Sequence, residues 1–159
     1  MLLYKENMKS LLGFKVKKSK KRNKLLLINP WIYDFTAYDF WSKPLGILYM
    51  AAILREKGYS IDYIDCMERL ETNLSSKTNH IYFKNHHEGR GSFHKEKVSK
   101  PESIRQIPRN YCRYGIKETA FEEKLEHLPK PDVVLITSVM TYWYPGVFRV
   151  IKLIRKHYP

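Results

Sequence analysis

The side chains able to do chemistry are few and widely spaced. Cys66 and Cys112 stand 46 positions apart and form no C-x-x-C or C-x-x-x-C-x-x-C pattern. Two such thiols build neither a zinc nor an iron–sulfur site by themselves. Cys112 has Arg109 and Arg113 nearby in sequence, and neighbouring cations favour a thiolate, so it is either a reactive sulfur or a structural one. His86, His87 and His94 precede it at a spacing that fits no common metal-ligand pattern and reads as solvated histidine. Asp34 and Asp39 could pair for acid–base work but lack a partner base in the sequence. No G-x-G-x-x-G and no Walker loop follows an apolar run, so the two common nucleotide fingerprints are missing. What remains is binding chemistry. Segments 29–43 and 138–144 each crowd aromatic rings together with hydrogen-bonding groups, a combination suited to a large planar or phosphate-bearing ligand, or to a neighbouring domain.

These two segments must be positioned by regular elements. Leu25, Leu26, Leu27 and Ile28 form a short unbroken apolar run, the pattern of a strand buried on both faces. Asn29-Pro30 ends it, because proline has no N–H for the ladder. Pro44 suits a first helical position with Ser42 as a possible cap, and Leu45, Leu48, Tyr49, Ala52 and Ile53 give one apolar face. Arg55 and Lys57 suit the last turn and Gly58 the C′ position. Residues 59–65 alternate as a second strand. A strand, helix and strand in this order predict a βαβ unit with parallel strands.

The pattern lapses over 67–130, a long insert with a short helix at 118–128 carrying Phe121, Leu125 and Leu128 on one side. A third buried strand is read over 132–137 and a second helix from Pro145, with Val147, Val150, Ile151 and Ile154 inward. The fold class is therefore α/β, a flavodoxin-like or Rossmann-like doubly wound parallel sheet of which three strands are present. The third strand leaves an apolar edge unpaired, which native proteins avoid, so the chain is expected to be part of a longer protein.

Composition bounds the function classes. With 159 residues, 43% hydrophobic and 14% aromatic, the chain is long enough for one packed domain. No apolar run approaches the about 18 residues of a membrane span, and no secretory signal is evident; with two free thiols, a cytoplasmic location is expected. The net charge of +13 is concentrated: residues 1–24 carry nine Lys/Arg and one Glu, and residues 75–117 carry ten Lys/Arg and three Glu. The first of these reads as a basic, disordered leader ahead of a partial domain at 25–159. Both could recruit nucleic acid.

The residues LLLINPWIYDF (25–35), KPLGILYMAAILREKGYSIDYIDC (43–66) and PDVVLITSVMTYWYPGV (131–147) resemble the N-terminal cobalamin (B12)-binding-type domain of radical SAM proteins. The stretch KPESIRQIPRNYCRYGI (100–116) resembles a subgroup signature within it. The resemblance implies a flavodoxin-like fold whose strand-end rim holds a corrinoid. By position, Asn29, Pro30, Pro44, Leu45 and Gly46 line one side of that rim, with Ser138 and Thr141 contacting the nucleotide tail on the other. It also implies a following barrel with a C-x-x-x-C-x-x-C triad that holds a 4Fe–4S cluster and cleaves S-adenosylmethionine. That triad is absent here, as is the histidine-bearing D-x-H-x-x-G motif, so no turnover by this chain and no histidine–cobalt bond are expected. Two other readings stay open: a basic nucleic-acid-binding protein, or a non-catalytic scaffold that uses the aromatic rim as a contact surface.

Overall fold

The computed structural model describes residues 23–39, 43–69 and 90–159. Its centre is β1 (Lys24–Asn29), whose last five residues are all buried. Such a strand can only be the middle of a sheet covered on both faces. It pairs in parallel with β4 (Ser60–Asp65) on one side and β8 (Val133–Ile136) on the other. The registers place Leu25 opposite Ile61 and Val133, and Ile28 opposite Ile64 and Ile136. The predicted parallel α/β sheet of three strands is present.

Alternation along β1 divides the core. Leu25 and Leu27 pack on one face with Ile47 of α1 (Leu45–Glu56). Leu26 and Ile28 pack on the other with Phe121 and Leu125 of α2 (Glu118–Glu126) and Val150, Leu153 and Ile154 of α3 (Tyr144–His157). At about 1.5–3 kcal/mol for each large apolar side chain removed from water, this second cluster is the main source of stability.

The inward face of α1 differs from the expected one. Leu45, Tyr49 and Ile53 are 61%, 70% and 54% exposed, whereas Ile47 is buried and Leu48, Ala51 and Leu54 pack against its cluster. The helix is apolar around most of its circumference, and 47, 51 and 54 form a stripe as regular as the outer one. Periodicity alone does not choose between two such stripes. Pro44 takes the N-cap position one residue before the helix, without a side-chain cap, and Gly58 closes the C-terminus at φ +92°, a left-handed conformation glycine adopts without strain. Ser42, the expected cap, lies outside the described residues, as do the leader up to residue 22 and residues 70–89 of the insert.

The described stretch 90–130 of the insert contains short strands besides the expected helix. Its strands β6 (Lys95–Lys97) and β7 (Cys112–Tyr114) form an antiparallel sheet with β2 (Ile32–Asp34), which belongs to the segment after β1. A second short pair joins β3 (Tyr38–Asp39) to β5 (Gly91–Ser92). These strands are two or three residues long, too short for a period-2 pattern, and each pairs with a partner far away in sequence.

Candidate functional site

β1 and β8 are neighbours, yet the helix after β1 packs on the Leu27 face and the helix after β8 on the Ile28 face. The chain therefore leaves the sheet in opposite directions at their carboxyl ends. In open α/β sheets that divergence is where ligands bind. A cavity of about 130 Å³ lies there. Asn29 and Pro30 from the end of β1, Pro44 before α1 and Ser138 after β8 line it. Four of the seven expected site residues thus meet around one space. Leu45, Gly46 and Thr141 do not line it: Leu45 and Thr141 are exposed beside it, and a Cβ on Gly46 would meet open space.

The insert supplies the rest of the wall. Met67 and Phe93, which pack together with Cys112 and Tyr114, reach the cavity, and so does Trp143 from the loop before α3. The lining is thus largely apolar with a few polar groups at its margin, the usual make-up of a small-molecule site.

Those polar groups are fixed in place. Asn29 is 8% exposed, and its side-chain amide donates to Asp65 Oδ1 at 2.7 Å. The same oxygen accepts the Met67 N–H at 2.9 Å, and Lys43 Nζ lies 3.6 Å from Asp65 Oδ2. Across the cavity mouth, Asp39 pairs with Arg69 at 2.8 Å, both side chains being 11% exposed. Ser138 Oγ donates to the Met140 carbonyl at 3.0 Å, which leaves its lone pairs to accept. Among the described residues, the polar groups that line the cavity include Asn29, Asp39, Lys43 and Ser138.

Comparison with known proteins found no matching family model, curated protein or solved structure.

Trp31 and Trp143 line the cavity and are also anchored structurally. Trp31 is fully buried, stacks against Phe121 with ring centroids 5.0 Å apart, and donates from Nε1 to the Ile116 carbonyl at 2.7 Å. Trp143 donates to Asp34 Oδ2 at 2.9 Å, tying the loop after β8 to the loop after β1. Trp41 lies outside the described residues.

Arg113 is the residue that sequence reasoning undervalued. Strand alternation turns it to the opposite face of β7 from Cys112 and Tyr114. There it is 7% exposed, with its guanidinium 5.3 Å from the Trp31 ring. It pairs with Glu96 at 2.7 Å and with Glu118, which also takes Arg149 of α3. One buried cation thus joins β6, β7, α2 and, through Glu118, α3. Burial pushes the Glu96 carboxyl up, but Arg113 and His94 outweigh it and leave its pKa below the ordinary value. Gly115 follows two residues on. Its φ of +123° and its close approach to the Cys66 carbonyl exclude a side chain.

The two thiols are held apart. Cys66 is fully buried, and burial, then Asp65, push its pKa well above the ordinary value, so it stays a neutral thiol. Cys112 is 6% exposed in the smaller cluster with Met67 and Phe93. Arg113, its neighbour in sequence, faces away across the sheet. His94 contacts Glu96 at 3.2 Å, while His86 and His87 lie outside the described residues. No group of three potential metal-ligating side chains occurs among the described residues, and no described helix is long and apolar enough to cross a membrane.

Proposed function

We propose that this chain is a corrinoid-binding-type α/β module of a radical SAM protein, holding the cofactor or docking the catalytic barrel and performing no turnover with its own residues. The observation that carries the reading is the cavity at the divergence of β1 and β8, lined by Asn29, Pro30, Pro44 and Ser138. These are the strand-end positions that the family resemblance designates. A cavity of about 150 Å³ holds a benzene-sized group, so a space of about 130 Å³ admits one ring or one substituent. The macrocycle itself must lie across the mouth. Open space over Gly46 at the start of α1 suits such an approach, since no side chain projects there.

The residues present fit the cofactor in part. Asn29 and Ser138 offer hydrogen-bonding groups, and Met67, Phe93 and Trp143 offer apolar contact. When bound, a corrinoid supplies cobalt chemistry such as methyl transfer. The chain's own residues orient it and exclude water from one face. They do not fit an iron–sulfur cluster: the two cysteines are buried in separate apolar clusters, and a cluster triad needs three thiolates. The 4Fe–4S cluster and S-adenosylmethionine belong, in this reading, to a partner barrel.

The experiment is a titration of the full chain with hydroxocobalamin, followed by its visible spectrum and by co-elution on gel filtration. Binding at one corrinoid per chain, lost when Ser138→Trp fills the mouth, supports the reading. No co-elution and no spectral change at high micromolar corrinoid rejects cofactor holding, and leaves the rim as a protein contact surface, for the barrel or in a scaffold.

A further inference from the structure

A second concave surface lies on the insert, remote from the strand-end cavity in its lining and opposite in character. The registers of β2, β7 and β6 put Tyr114 and Lys95 in one row and Cys112 and Lys97 in the next, with Arg113 and Glu96 turned to the other face. Lys95 and Lys97 therefore project from the same side of β6, about 6–7 Å apart along the strand. Arg109, on the loop before β7, closes the same groove and lies over the Phe35 ring at 5.6 Å. Asn110 and Tyr114 form part of the floor, and the groove encloses about 550 Å³ while remaining open to solvent.

The three cations have no carboxylate partner within ion-pair distance among the described residues. Of the acids near the groove, Glu96 pairs with Arg113 and His94 on the opposite face of the sheet, and Glu118 with Arg113 and Arg149. The nearest acid in the sheet, Asp34, accepts from Trp143 Nε1 and from the Phe35 N–H. Residues 90–117 hold eight Lys/Arg against two Glu. Charges of one sign along a concave surface focus the field and concentrate an oppositely charged ligand there.

We propose that this groove binds the phosphate backbone of single-stranded nucleic acid, with Lys95, Lys97 and Arg109 each contacting a phosphate. An open groove with cations spread over a strand and a loop fits an extended polyanion better than a compact one, which is usually enclosed on several sides. Of the described rings that line the groove, Phe35 is covered by Arg109 and contacts Tyr111, and Tyr114 is buried, so neither offers an open face to stack a base. Recognition is then of the backbone and independent of base sequence.

Each phosphate contact to a single strand adds about 0.7 to the slope of log affinity against log salt. The test is fluorescence anisotropy of a labelled single-stranded oligonucleotide across a salt series, with three versions of the 159-residue chain. These are the wild type, a groove variant (Lys95→Gln, Lys97→Gln, Arg109→Gln) and a control that removes three exposed helix cations (Lys57→Gln, Lys152→Gln, Arg155→Gln). The basic N-terminal residues are present in all three. The groove variant is expected to show a slope shallower by about 2, and Lys95→Gln alone by about 0.7, with the control unchanged. An unchanged slope in the groove variant, or an equal loss in the control, overturns the proposal. So does saturable binding of inorganic tripolyphosphate lost in the groove variant without any oligonucleotide binding, since that makes the groove a small-anion site. Matching urea midpoints for the three proteins exclude loss of fold as the cause.

Discussion

Asn29 and Asp65 end two adjacent parallel strands, sit opposite each other in register, and join through a 2.7 Å hydrogen bond from the amide to the carboxylate. Asn29 lines the cavity, and Asp65 Oδ1 behind it also takes the Met67 N–H that begins the insert. Removing the carboxylate leaves a buried amide and a backbone donor without a partner. Asp65→Ala is therefore expected to cost about 1–3 kcal/mol, read from urea unfolding. Asp65→Asn keeps an acceptor oxygen and should lose much less. Equal costs for the two variants would contradict this role.

The orientation of α1 yields a sharp contrast. Ile47→Ala empties a buried position facing Leu25 and Leu27, and a loss of about 2–5 kcal/mol is expected. Tyr49→Ala and Ile53→Ala change side chains that are 70% and 54% exposed, so shifts within about 0.5 kcal/mol are expected. Denaturant midpoints of the three variants decide which stripe faces the sheet. The reverse ranking restores the face first expected from periodicity.

How much was legible in the sequence depended on element length. β1, β4 and β8 are four to six residues of apolar or alternating character, and their positions were readable to within a residue or two. The pairing of β2 with β7 was not, because three-residue strands carry no period and the partners are some 80 positions apart. Trp31 shows the same limit. An aromatic residue after a strand can face a ligand or the core, and the deciding contact, the Ile116 carbonyl, comes 85 residues later. That Asn29, Pro30 and Ser138 lie on one rim was legible because strand ends in a parallel sheet converge there, whereas Pro44 was designated only by the family resemblance. Met67 and Phe93 reach that rim only through the fold of the insert.

The Arg113 network gives the fold an acid-sensitive joint. Glu96 titrates below its ordinary value of 4.5 in the folded chain, so it binds protons more readily when unfolded. Its contribution is complete above pH 4.5 and fades as pH falls through the lowered folded value. Glu96→Gln should flatten the fall in stability below about pH 4.5 relative to the wild type. An identical acid limb in the two proteins would show that Arg113 gains nothing from Glu96. Arg113→Met, by contrast, leaves Glu118 with Arg149 alone and Glu96 with His94, and is expected to cost about 3 kcal/mol at neutral pH.

The central claim concerns the strand-end cavity, and equilibrium dialysis against hydroxocobalamin tests it most directly. The wild-type chain is expected to retain one corrinoid per chain, and Ser138→Trp none, with the two proteins unfolding at similar urea concentrations. Equal retention by both, or retention by neither, contradicts a corrinoid seated between Asn29, Pro44 and Ser138.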